Sequence, residues 1–280
     1  MILIADSGST KAEFRLLETD VEEKVFVVPG INPFYQSEME IKELINNSLY
    51  PDIAGCDIQK IYFYGAGCAF PEKNKIVENA LLHSFPQADV FVGTDLLAAA
   101  RALFGRGKGV ACILGTGSNS CFYNGWEIEK NVSPLGFILG DEGSGAVLGR
   151  KFISDCLKNQ MPVALQKKFF SQYDISPSEI MDKVYRQPFP NRYLASLTPF
   201  LLENIGEKYV YLLVKESFTE FFERNIEQYS VGDEKLGFIG SIAFYFQDVL
   251  HEAAEEMGYR IEKIEKSPMD GLCLFHKNDL

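Results

Sequence analysis

The sequence predicts an α/β protein built as two domains, and three observations carry that reading. Strand-like and helix-like stretches alternate through the first half of the chain. One pattern, an apolar strand followed by a turn of small residues and a second strand, occurs twice, around Asp6–Lys11 and around Gly115–Ser120. Between the copies runs Gly105-Arg106-Gly107-Lys108-Gly109, the most flexible stretch of the chain, where the domain boundary is placed. The chain has 280 residues, 46% of them hydrophobic, enough for two cores.

The elements follow in order. Met1–Ala5 is a short apolar strand that runs into Asp6-Ser7-Gly8-Ser9-Thr10, and Ala12–Leu16 resumes as the second strand of a hairpin. Val25–Val28 extends the meander, and Gly30-Ile31-Asn32-Pro33 is a loop. Glu38–Leu49 and Lys73–Ser84 have helical spacing, separated by a strand at Ile61–Tyr64 that ends in Gly65-Ala66-Gly67. Asp89–Val92 is a strand leading through Gly93-Thr94-Asp95 into a helix, Leu96–Phe104, capped by Thr94 or Asp95. Val110–Leu114 then repeats the opening theme, with Asp6 aligned on Gly115, Ser7 on Thr116, Gly8 on Gly117, Ser9 on Ser118 and Phe14 on Tyr123. Helical periodicity dominates Lys151–Glu227, and Gly237–Ser241 is a last glycine-bearing strand end before a helix.

The net charge of −12 disfavours nonspecific binding to nucleic acid or anionic lipid. A polyanionic ligand must then be held by local dipoles and a metal. No apolar run approaches the roughly 18 residues of a membrane span, and Met1–Ala5 lacks the basic leader of a signal peptide. The six cysteines include no C-x-x-C pair and read as buried, reduced thiols. A cytoplasmic protein with no membrane and no nucleic-acid partner is the expectation.

Two small-residue turns, each flanked by strands, suit a polyphosphate: glycines let the backbone approach, successive N–H groups form an anion nest, and hydroxyls add donors. The bland alternative is two ordinary hairpin turns. Neither is a Walker loop or a dinucleotide fingerprint, since each is followed by a strand. Asp6 would repel phosphate unless a cation lies between them, which water-mediated Mg2+ would supply; an Asx-turn aspartate is the alternative. Asp95, between a strand end and a helix start, suits either a base for an acceptor hydroxyl or a helix cap. In Gly136–Gly145, four glycines surround Asp141 and Glu142 ahead of a helix-like run. They imply backbone lying close to a substrate, with Asp141 accepting from sugar hydroxyls or touching the metal shell, or else two acids complementing a helix dipole. Asn32 suits a sugar hydroxyl or a turn. His83, His251 and His276 lie outside these motifs and read as structural.

In this order, Asp6–Lys11, Thr94-Asp95, Gly115-Thr116-Gly117-Ser118-Asn119, Leu139–Ser144 and Gly237–Ser241 resemble the N-acetylglucosamine kinase group. That group lies within the BadF/BadG/BcrA/BcrD ATPase family of the actin/hexokinase/Hsp70 superfamily. The resemblance spans nearly the whole chain. It implies two ribonuclease-H-like, actin-like ATPase domains with an interdomain cleft: 1–108, joined by a returning C-terminal helix at 267–280, and 109–266. It also implies ATP and Mg2+ as cofactors, an amino-sugar substrate, and room for a homodimer. By the resemblance Asp6 looks like the acid that holds Mg2+ through water. Ser7, Gly8, Ser9, Thr10 and Lys11 look like one phosphate loop, and Gly115, Thr116, Gly117 and Ser118 like the other, with Thr10 toward the γ- and Thr116 toward the β-phosphate. Gly240 and Ser241 look like part of the adenosine motif. Asp95 looks like the catalytic base and, with Asn32, Asn119, Gly136 and Asp141, a sugar contact.

Three departures stand out: serines in the first loop where relatives often carry glycines, Phe137-Ile138 in place of Trp-Gly in the sugar loop, and I-G-S where G-G is usual. The expected activity is phosphorylation of the 6-hydroxyl of an amino sugar, N-acetylglucosamine favoured over glucosamine and N-acetylmuramic acid. The alternatives are a nucleotide-driven reductase activator holding an iron–sulfur cluster, for which Cys121 and Cys156 are the candidate ligands, and a sugar sensor without turnover.

Overall fold

The opening strand alternates apolar residues onto both of its faces, which means that both faces must be covered. In the computed structural model, which describes residues 1–8, 10–18, 23–229 and 235–277, this is what happens. Strand β1 (Ile2–Ser7) sends Leu3 and Ala5 into a core built with the helices Glu38–Ser48 and Pro71–Ser84. Ile2 and Ile4 enter a second core with the helices Asp95–Phe104 and Met269–His276. With β2 (Lys11–Leu17), β3 (Lys24–Pro29), β4 (Lys60–Gly65) and β5 (Asp89–Thr94), the sheet order is β3-β2-β1-β4-β5. The first three strands are antiparallel neighbours; β4 and β5 run parallel to β1.

The chain divides into two compact units. The first is Met1–Gly107 with the segment that begins at Ser267, and the second is Lys108–Lys266. The second unit repeats the sheet. Strands β6 (Gly109–Leu114), β7 (Ser118–Tyr123), β8 (Ile128–Val132), β9 (Leu236–Ile239) and β10 (Ile261–Glu265) take the order β10-β9-β6-β7-β8. That is the first order read from its other edge, with antiparallel β6-β7-β8 and parallel β6-β9-β10. Both units are therefore ribonuclease-H-like.

Three expectations change. Strand β1 runs through Asp6 and Ser7, which pair with Glu13 and Ala12, so the turn proper is Gly8–Thr10. β8 and β10, each with three polar residues in five and no clean alternation, escaped the sequence reading. The helical stretch at 151–227 is broken into separate helices, because Pro162, Pro177, Pro190 and Pro199 each sit at or beside a helix start. No helix among the described residues is long and apolar enough to cross a membrane.

Candidate functional site

Strand parity places the first carboxylate. Asp6 shares a strand face with Ile2 and Ile4, the face covered by the helix Asp95–Phe104. Thr94 is that helix's N-cap, its hydroxyl accepting from Leu97 N–H at 3.0 Å. Asp95 is therefore not the N-cap; its Oδ1 accepts from Leu96 N–H at 2.9 Å. Both carboxylates keep an edge open to solvent, yet burial and the neighbouring Asp95 and Glu13 push Asp6 up to about 7, against a lowering by Lys11. Burial likewise raises Asp95, against the backbone N–H groups that stabilise its charge. Asp95 thus disfavours the charge on Asp6, and a cation beside the two would favour it. Among the described residues no three His, Cys, Asp or Glu side chains converge on one point. A Mg2+ here fits only as an ion held by one or two carboxylates and completed by water and phosphate oxygens, which is its usual habit.

Around them, Gly8 N–H donates to Lys11 carbonyl at 3.0 Å and Gly30 N–H to Thr10 carbonyl at 3.0 Å, which fixes the turn. Thr10 and Lys11 are exposed; Ser9 lies outside the described residues. Ser7 departs from its expected part. It points to the other face, fully buried, and its hydroxyl is within 2.9 Å of both Ile31 N–H and Ile31 carbonyl, so it has no donor left for phosphate. Asn32 is buried, its Oδ1 accepting from Phe34 N–H at 2.9 Å, which leaves its Nδ2 as the group able to meet a ligand. Gly67, at φ +85°, makes room for it: a Cβ there would stand 2.4 Å from Asn32 Oδ1.

In the second unit, two loops are sewn together. Gly145 N–H donates to Gly115 carbonyl at 2.8 Å and Ala146 N–H to Thr116 carbonyl at 3.0 Å. These are first-turn donors of the helix Gly145–Leu157, capped by Ser144. Asp141, at φ +56°, aims its carboxylate at the same turn. Its Oδ1 accepts from Ser118 N–H at 3.3 Å, and a Cβ on Gly117 would come within 3.0 Å of it. Burial raises Asp141 to about 6, with Ser118 lowering and Glu142 raising it. Asp141 and Glu142 precede the cap, so neither is a helix-capping residue. Gly136 opens a four-residue helix at φ +75° with open space beside it, and Ile138 and Leu139 stand exposed. Asn119 Oδ1 is committed to Ser120 N–H and Asn131 Nδ2, both at 2.9 Å. Gly240, at φ +122°, packs so close to β6 that a Cβ would lie 2.3 Å from Leu114 carbonyl. Ser241 begins the short helix after it, exposed.

The sequence reading missed what holds the Asp141 loop: Pro134 carbonyl, which accepts from Asp141 N–H at 2.9 Å, and Ser217, Arg224 and Asn225 far along the chain. Only Gly67, inside the noted Gly65-Ala66-Gly67, left a visible signal. Cys121 and Cys156 are fully buried, and burial pushes their thiols up to about 12 and about 11, unlike accessible cluster ligands.

No family model matches the chain, and no curated protein matches it. Solved structures do. One from Porphyromonas gingivalis, bearing the name "putative N-acetylglucosamine kinase", is 46% identical at a TM-score of 0.96, over 100% of this chain and 99% of that one. A structure of the same name from Chromobacterium violaceum is 15% identical at a TM-score of 0.77, over 98% of both chains, and shares the fold. So, more distantly, does a Schistosoma mansoni hexokinase complexed with glucose, 11% identical at a TM-score of 0.52 over 98% of this chain and 84% of that one.

Proposed function

The chain belongs to the N-acetylglucosamine kinase group represented by the Porphyromonas gingivalis structure, and on that premise we propose that it transfers the γ-phosphoryl group of ATP to the 6-hydroxyl of an amino sugar, N-acetylglucosamine first among them. The observation that carries the reading is Asp95, a half-buried, raised carboxylate at a strand–helix junction whose N-cap is its neighbour Thr94. A raised carboxylate is a better base near neutral pH than an ordinary one. Asp95 orients the acceptor hydroxyl and takes its proton as the oxygen attacks the γ-phosphorus and the bond to ADP breaks. Asp6 would hold Mg2+ through water, and that ion would offset the phosphate charge. In this reading Gly8, Thr10, Lys11 and the Gly115–Ser118 turn are phosphate contacts, Gly240 and Ser241 adenosine contacts, and Asn32 Nδ2, Asp141, Gly136 and Asn119 Nδ2 sugar contacts. We place the reaction in the cytoplasm, where ATP is made.

An ADP-release assay across N-acetylglucosamine, glucosamine and N-acetylmuramic acid tests this. N-acetylglucosamine is expected to give the highest kcat/KM. ADP release that no amino sugar stimulates would refute the assignment.

A further inference from the structure

Glu142 has no part in the reaction above, yet its side chain is only 12% exposed and both of its oxygens face one short segment. Oε1 lies 2.5 Å from Arg224 Nε in an ion pair, and Oε2 accepts from Asn225 Nδ2 at 3.5 Å. Both partners ride on a π-helical turn, Phe222–Ile226, which continues the helix Lys208–Phe221. In a regular helix the backbone N–H of Asn225 would bond to Phe221 carbonyl. In the π-turn the ladder shifts to bonds five residues apart, and Asn225 Nδ2 also reaches Phe221 carbonyl at 3.2 Å. Asn225 is itself buried. The same helix also holds the next loop residue: Gly143 N–H donates to Ser217 Oγ at 3.2 Å. Gly143 needs its φ of +72° to lie there, since a Cβ would press to 3.2 Å from Phe221 Cβ and 3.3 Å from Leu114 Cδ2.

Residues 142 and 143 are thus gripped from three points on one helix and its π-turn, directly after Asp141, a non-glycine residue at φ +56°. Left-handed backbone at such a residue persists where its surroundings over-determine it. We propose that Arg224 and Asn225 are positioning residues for the amino-sugar site: through Glu142 they keep Asp141 in the conformation that turns its carboxylate to Ser118 N–H. This rests on the reading of Asp141 as a sugar contact. A merely structural ion pair predicts something different. Arg224 is 58% exposed, and pairs so open contribute little to stability, so its removal should disturb the loop without unfolding the unit.

The test uses the full chain with Arg224→Met, Arg224→Lys and Asn225→Leu. In ligand-free protein, amide exchange at Gly143 and Ser144 should quicken about tenfold in Arg224→Met and Asn225→Leu, and return toward the original rate in Arg224→Lys. In turnover, KM for the amino sugar should rise about tenfold in the same two variants, with KM for ATP and kcat within about twofold. Unchanged exchange in Arg224→Met overturns the proposal, as does a KM increase shared equally by ATP. Should Asn225→Leu fail to fold, Arg224→Met decides alone. An original chain that phosphorylates no amino sugar overturns the kinase assignment, while the exchange data still decide the positioning.

Discussion

The two hairpins share a topology and differ in charge. Counted from the strand ends Ser7 and Leu114, and again from the strand starts Lys11 and Ser118, Gly8 falls on Gly115 and Thr10 on Gly117. The alignment read from sequence is therefore displaced by two residues. In the structural frame Asp6 has Ile113 as its counterpart, and Asp95, first after β5, has Lys266, first after β10. The acids belong to one unit only. The second unit uses the same frame to knit its turn to the Asp141 loop by backbone bonds. One architecture thus serves two purposes: the first unit sets Asp6 and Asp95 close enough that one raises the other, which suits metal and base chemistry, and the second fixes backbone and hydroxyl-binding groups.

Variants can break that division. The largest effect is expected at the base. Asp95→Asn should lower kcat by about a thousandfold, within the span of general-base effects, while calorimetric ATP affinity stays within about twofold. Asp6→Asn should lower activity by about a hundredfold at limiting Mg2+ and raise the Mg2+ concentration for half-maximal rate, an effect that titration with magnesium reads directly. If instead Asp141→Asn shifted the magnesium requirement as much, the division between the units would fail.

Asp141 sharpens the comparison through pH. Its carboxyl is raised to about 6, so the ionised form that accepts from sugar hydroxyls is lost as pH falls through that value. KM for the sugar should climb below pH 6, and Asp141→Asn should remove that limb at the cost of a KM about tenfold higher throughout. The stability sign is opposite. A carboxyl raised in the folded state keeps its proton where the unfolded chain has lost it, so stability from this group falls as pH rises from about 4 to about 6. Urea titrations of the original chain and Asp141→Asn should converge at the acid end of that window. The smallest expected effect is structural: Gly240→Ala, forced to φ +122° and against Leu114 carbonyl, should destabilise the second unit by about 2 kcal/mol, measured by thermal unfolding.

Much of this was legible in residue order. Buried strands such as β1 and β6 declare themselves by apolar runs, and glycines at Gly117, Gly143 and Gly240 mark places where the backbone comes close to a neighbour. Asp95 was ambiguous because a cap and a base use the same residue type at the same junction; in the structure the N-cap is Thr94, its Oγ1 on Leu97 N–H. Ser7 misled because a strand residue and a turn residue look alike when the strand end is misjudged by two positions, and a two-residue shift left its hydroxyl buried on Ile31. The grip on Glu142 was invisible, since Arg224 and Asn225 lie about eighty residues away and meet it only through a π-turn that has no sequence signature.

The central claim is phosphoryl transfer to one particular oxygen. The chain incubated with ATP, Mg2+ and N-acetylglucosamine should give one equivalent of sugar phosphate per ADP, with phosphorus–proton coupling in the NMR spectrum to the C6 methylene protons. Phosphate on another hydroxyl, or ADP formed without sugar phosphate, would contradict it.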